Sequence, residues 1–264
     1  MKSFFGSDLL LNSESAKKIY AEVKDLPIID YHCHLDQYKI KDDAKFQNIG
    51  ELWLAGDHYK WRAMRLSGVG EELITGNSSW REKFRAYASV LPKLAGNPLY
   101  YWTHMELQQV FGIFEPLSEE SADRIFDAAN EKLQNISVST LLKQYKVEFV
   151  ATTDDPCDDL LAHGKYGGTL VAPTFRPDKL FTLDEAYLER LGETAGEDVS
   201  TLAGLLKAVE KRLLYFISRG CRISDHGFCR FAQYYVTHST AEKLYSERRS
   251  LNEEQKEALF GYLL

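Results

Sequence analysis

Residues 26–35 read Leu26-Pro27-Ile28-Ile29-Asp30-Tyr31-His32-Cys33-His34-Leu35, and the fold turns on how this stretch is taken. An apolar run that stops abruptly at polar, metal-capable side chains has the pattern of a buried strand ending at a functional face. Side chains alternate along a strand, so Asp30, His32 and His34 share one face while Tyr31 and Cys33 point the other way. Two imidazoles about 6 to 7 Å apart along such a backbone can converge on one divalent ion, and neutral imidazole suits zinc, manganese or iron. The plain alternative is two polar residues in a loop, since an H-x-H tripeptide also arises by chance. Two ligands do not complete a site, and a third, usually a carboxylate, has to come from elsewhere. Cys33, on the opposite face, reads as a packing residue.

Working outward, Ala16, Ile19, Tyr20 and Val23 recur at helical spacing and predict a helix that stops before Pro27. From about Asp36 to Thr140 the period is helical, and Ala122, Ile125, Phe126, Ala129 and Leu133 form one stripe behind the expected N-cap Ser118. All four tryptophans, Trp53, Trp61, Trp80 and Trp102, lie in this stretch, which predicts a small core of its own. Strand patterns return at Val147 to Thr153, Thr169 to Phe175 and Cys221 to Asp225, with helical patterns such as Leu202, Leu205, Leu206 and Val209 between the last two. Strands alternating with helices predict a parallel sheet. Each strand runs into turn chemistry, at Asp154-Asp155-Pro156, Arg176-Pro177-Asp178 and Asp225-His226-Gly227, where reactive groups of (β/α)8 barrels gather.

With the first stretch this makes four strands, and a closed barrel needs about eight. At the other end Asn252 and Gln255 predict a capping box, and the helix they open meets Leu263-Leu264 with no C-cap glycine. The expectation is therefore an α/β chain: the N-terminal half of a (β/α)8 TIM-type barrel with a helical insertion after the first strand, cut inside a helix. Its expected parts are residues 1–35 (helix and first strand), 36–145 (helical insertion) and 146–264 (strands two to four with their helices).

With 44% hydrophobic and 27% charged residues among 264, the chain has enough apolar mass to fold rather than stay disordered. A net charge of −7 argues against nucleic acid or an anionic membrane as partner and leaves a small molecule as the default. The opening MKSFFGSDLL carries no long apolar leader, and Cys33, Cys157, Cys221 and Cys229 are widely spaced, so free thiols in the cytoplasm are expected.

The block Asp30 to Leu35 resembles the start of the amidohydrolase superfamily, whose first barrel strand ends in H-x-H. His58-Tyr59-Lys60-Trp61-Arg62-Ala63-Met64-Arg65 is similar to the uronate isomerase signature within that superfamily. Thr152 to Pro156, Thr174 to Asp178 and Gly220 to Gly227 agree, and the resemblance runs through the chain in order. It implies that His32 and His34 are ligands of a divalent metal, zinc being the expected one. It also implies catalytic roles for Tyr59, Arg176 and Asp225, with His58 and Arg176 contacting substrate. The family's later strands carry a His and Arg pair and an Asp ligand with a nearby Arg, and these find no match here.

The activity so implied is that of an aldose–ketose isomerase, an intramolecular oxidoreductase interconverting D-glucuronate with D-fructuronate and D-galacturonate with D-tagaturonate. A proton moves from C2 to C1 through a cis-enediol. The partner would be a hexuronate, self-association into a homo-oligomer is compatible, and the piece alone is expected to be inactive. A metal-dependent hydrolase of the same superfamily and a non-catalytic half-barrel scaffold stay open beside it. Arg176, biased to extended backbone by Pro177, offers a planar fork for a carboxylate. Adjacent helical residues diverge by about 100°, so His58 and Tyr59 reach one site only where the backbone is irregular. Asp225 orients a sugar hydroxyl, holds an arginine or caps a helix. Asp154 and Asp155 read as a site carboxylate or as turn starters. His104, His163 and His238 read as surface or core residues, and Arg248-Arg249 as a solvated face.

Overall fold

The computed structural model describes residues 6, 8–228 and 231–264; Cys229 and most of the opening MKSFFGSDLL lie outside them. The helices are α1 (Glu14–Val23), α2 (Gln37–Lys41), α3 (Ile49–Leu54), α4 (His58–Leu66), α5 (Trp80–Val90), α6 (Pro98–Phe111), α7 (Ala122–Leu133) and α8 (Val138–Gln144). They continue with α9 (Glu185–Ala195), α10 (Leu202–Ser218), α11 (His238–Ser246) and α12 (Glu253–Leu263). The strands are β1 (Ile28–Asp30), β2 (Val147–Ala151), β3 (Gly164–Tyr166) and β4 (Thr169–Ala172). Two compact units result, one of Met1–Pro27 with Asp43–Gln144 and one of Ile28–Asp42 with Tyr145–Leu264. The helix α1 thus groups with the helical unit, whereas its sequence neighbour β1 belongs to the other.

The first unit is helical because its apolar residues repeat at helical spacing around a shared apolar centre. Ile49, Leu54, Met64, Phe84, Tyr87, Leu107 and Ile125 are all buried in one cluster, each such side chain contributing about 1.5 to 3 kcal/mol. Trp53 is buried there and Trp61 and Trp80 pack against it, but Trp102 is 54% exposed because it lies off the Leu99, Thr103, Leu107 stripe of α6. The helix α7 starts later than expected: its N-cap position is Ser121, and Ser118 instead donates to Glu120. His104 is a core histidine, donating from Nδ1 to the Tyr100 carbonyl and accepting the Leu117 amide at Nε2. Burial pushes its pKa down.

The second unit holds a small mixed sheet of order β1-β2-β4-β3. The pairs β1·β2 and β2·β4 are parallel, as the alternation predicts, but β3 and β4 form an antiparallel hairpin turned at Gly167-Gly168. The purely parallel expectation is therefore corrected, and the missed element is a two-residue glycine turn, Gly167 having φ +59. The expected buried first strand is corrected too: Ile28 is 43% and Ile29 57% exposed, since β1 is an edge strand.

The fourth expected strand is reduced to one bridge, Ser224 opposite Phe175. The edge of β4 it would occupy is already taken by β3 from Thr169 to Val171, and Pro173 then removes a ladder donor. The helices of this unit bury Leu188, Leu191, Leu205, Tyr245 and Leu259 in a second core, and α12 opens with the expected Asn252 and Gln255 capping box. Arg248 is corrected from a solvated residue: its guanidinium stacks 4.4 Å from the Tyr245 ring and pairs with Glu185. No helix among the described residues is long and apolar enough to cross a membrane.

Candidate functional site

The strand ends of the second unit bring four of the expected residues together. After Asp30 the backbone leaves the strand, with the His32 amide directed to the Asp30 carboxylate at 3.3 Å, the geometry of an Asx turn. Cys33 then rejoins β2, its amide donating to the Ala151 carbonyl and its own carbonyl accepting the Thr153 hydroxyl. This turn, not strict strand alternation, sets His32 and His34 side by side. Their rings meet edge to face at 4.8 Å, with the two Nε2 atoms 3.1 Å apart. Cys33 has its sulfur beneath the Leu35 amide and a thiol pKa raised by burial, so it packs rather than ligates.

Asp225 faces His32 from the neighbouring segment, Nδ1 to Oδ2 at 2.6 Å, and its other oxygen lies 3.5 Å from Arg176 Nε. Both Asp225 oxygens are shielded from solvent, yet neither accepts a well-aligned hydrogen bond among the described residues. The Arg176 Nε donates at 2.8 Å to Asp178, which also accepts the Gly227 amide at 2.7 Å and lies 3.3 Å from His226 Nδ1. Partial burial opposes ionisation of Asp178, but the Arg176 and Gly227 hydrogen bonds and the Arg176 charge outweigh it and hold the carboxyl below its usual range. The two terminal guanidinium nitrogens of Arg176 make no hydrogen bond among the described residues. A guanidinium held at Nε with no hydrogen bond at its two terminal nitrogens has the capacity left to pair with a carboxylate.

Fit to a divalent metal can be tested on the histidine pair. Two nitrogens bound to one tetrahedral ion at about 2.0 to 2.1 Å sit roughly 3.3 Å apart, close to the 3.1 Å between the two Nε2 atoms. A carboxylate at the other ring nitrogen is the usual way a metal-binding imidazole is oriented, and Asp225 stands there for His32. The pair fits half of a site, and no group of three or more metal-capable side chains occurs among the described residues.

Tyr59 and His58 belong to the helical unit, where they are the first two residues of α4 behind the N-cap Asp57. Their rings lie 4.3 Å apart, so at a helix start the two side chains do run together despite being adjacent. The Arg62 guanidinium lies 5.9 Å from the Tyr59 ring, and Tyr59 is 57% exposed. Asp155 is a turn starter, capping the Cys157 amide and accepting from Tyr187. Asp154 faces inward, sealed with Thr152 and His163. His238 is a surface residue beside Glu242 and Tyr262. Sequence reasoning missed Asp178 and Gly227 as site residues, although Asp178 stands two residues after Arg176 in a turn.

The chain matches the family of glucuronate isomerases over residues 1–263. It is 44% identical over 247 residues to a uronate isomerase of Marinomonas sp. (strain MWYL1), covering 88% of this chain and 53% of that protein. Its structure is similar to that of uronate isomerase from Thermotoga maritima, with a TM-score of 0.94 at 38% identity, covering 99% of this chain and 60% of the other. It is also similar to glucuronate isomerase from Caulobacter crescentus, with a TM-score of 0.87 at 30% identity, covering 94% and 56%. The chain therefore spans between half and two thirds of the length of these relatives, and over that span it belongs to the glucuronate isomerase family.

Proposed function

We propose that this chain supplies the amino-terminal part of a uronate isomerase site acting on D-glucuronate, and on D-galacturonate, by proton transfer between C2 and C1 through a cis-enediol. The observation that carries it is the Arg176 guanidinium, braced at Nε by Asp178 and open at its fork, beside the His32 and Asp225 contact. An acidic open-chain sugar needs a cation for its carboxylate or its enediolate oxygens, and Arg176 offers both hydrogen bonds at once. Asp225, half-buried and short of aligned donors, accepts a sugar hydroxyl and keeps His32 oriented. On the family resemblance, Tyr59 relays the proton and His58 contacts the substrate. His32 and His34 would hold a divalent ion, zinc being the expected one, which when bound polarises a substrate oxygen as a Lewis acid.

The parallel order β1, β2, β4 and then the Ser224 segment supports the further proposal that these are successive strands of half a (β/α)8 barrel. On that view the 264 residues alone bind the sugar without turning it over. Carbon-13 NMR of labelled D-glucuronate tests the proposal: a longer polypeptide that includes this chain should yield the ketose, with solvent deuterium entering C1. Turnover of esters or amides with no ketose formed would replace it with the hydrolase reading.

A further inference from the structure

Gly227 has a geometric relation to Arg176 that its place in a turn does not require. A Cβ built on Gly227 would lie 2.3 Å from Arg176 Nη2 and 3.2 Å from Asp178 Oδ2. Both are side-chain tips, so a methyl group there does not collide with backbone; it collides with the guanidinium. The same residue's amide donates to Asp178 Oδ2, the oxygen that receives Arg176 Nε. The guanidinium thus lies against bare backbone, fixed at Nε by a carboxylate that Gly227 itself holds. Asp178 is also approached by His226 and Arg176 by Asp225, so the plane of the fork is constrained from each of these elements.

We infer that Gly227 and Asp178 are positioning residues that set the direction of the Arg176 fork, and through it the preference of the site for a C6 carboxylate over a neutral C6 group. This rests on the reading of Arg176 as the cation that grips the sugar acid. Any side chain at position 227 rotates the guanidinium away from the direction in which Asp178 presents it. The discrimination lost is between charged and neutral sugars, and general affinity for a hexose is left alone.

The test uses the nitrogen-15-labelled 264-residue chain. The Arg176 Nε–Hε signal, identified by its absence in Arg176→Lys, should move in Gly227→Ala while the backbone amide spectrum elsewhere stays in place. Titration with D-glucuronate and with its C6 amide, D-glucuronamide, should show the acid-over-amide preference falling about tenfold or more in Gly227→Ala. In an Arg176→Lys background the glycine change should move that ratio no further, because the lysine has no atom at the clash. An unmoved Nε–Hε signal with an unchanged ratio overturns the inference, and so does an equal further loss in the lysine background. If the wild-type chain binds neither sugar, the sugar-acid reading of Arg176 fails, and the Nε–Hε signal alone decides the positioning. Should Gly227→Ala not fold, Asp178→Ala, which leaves the glycine backbone intact, must move the same signal, and an unmoved one is fatal to the inference.

Discussion

Asp154 and Asp225 flank Phe175 in the same unit, Asp154 as its bridge partner on one side and Asp225, next to the bridge partner Ser224, donating its amide to the Phe175 carbonyl on the other, and they have opposite surroundings. Asp154 is sealed: its side chain is 1% exposed, the Thr152 hydroxyl and Thr174 amide donate to one oxygen, and His163 Nε2 lies 3.3 Å from the other. Asp225 is 23% exposed, touches a half-open histidine and an arginine, and lacks an aligned donor. The backbone of Asp154 also clamps Thr174 and Arg176, so the sealed carboxylate holds the strand end on which the site arginine is mounted. A carboxylate at a strand end is therefore no sign of a site by itself. What separates the two is access and saturation: Asp154 is closed off with one oxygen held by Thr152 and Thr174, whereas Asp225 is partly open and neither of its oxygens is taken by an aligned donor among the described residues.

The largest expected effect breaks the sealed cluster. Asp154→Ala should cost about 3 to 5 kcal/mol, because it strands buried donors whose partner is gone; urea unfolding at neutral pH measures it, and a loss below about 1 kcal/mol would erase the contrast. His163→Phe keeps the ring volume but removes the donor to Thr152, and should cost about 1 to 3 kcal/mol on the same assay. Asp225→Ala should change stability by less than about 1 kcal/mol while weakening binding of zinc at His32 and His34 about tenfold. Calorimetric zinc titration reads this, and an unchanged affinity would remove Asp225 as the group that orients His32.

The smallest effect is in pH dependence. The Asp178 carboxyl is held below its usual range when folded, so the unfolded chain binds that proton more tightly and Asp178 adds stability at neutral pH. That contribution is whole above the unfolded carboxylate value of about 4 and is lost as the pH falls through the lower folded value. Asp178→Asn should accordingly flatten the acid limb of the stability curve and leave Asp154-dependent stability in place. An acid limb identical to wild type would show that the Arg176 and Gly227 contacts do not bias its ionisation.

The H-x-H stretch, the strand ends and the capping box at Asn252 were legible because each is a local pattern, a period or a residue pair a few positions apart. Arg176 and Asp225 were legible as strand-end residues for the same reason. The Asp178 link to Gly227 was not, since those residues lie 49 apart in sequence and meet only once the backbone is folded. The same holds for His163, whose partner Thr152 is reached across a loop. The side-by-side placement of His32 and His34 was expected from strand alternation but comes from a turn at Asp30, so the two rings meet by a route the alternation does not describe. The β3 hairpin carried a readable signal in Gly167-Gly168 and was overlooked because Gly164 to Tyr166 is too short to show alternation.

That hairpin has a consequence for how the sheet meets other molecules. Because β3 is three residues long, carries the exposed Lys165 and covers β4 only from Thr169 to Val171, it blunts that border against strand-to-strand stacking between copies. The opposite border, β1, has no such guard among the described residues: Ile28 and Ile29 stand open. Lateral growth of the sheet is thereby polarised, and in concentrated solution self-recruitment should begin at Ile28–Asp30, where hydrogen exchange would first reveal a new shield.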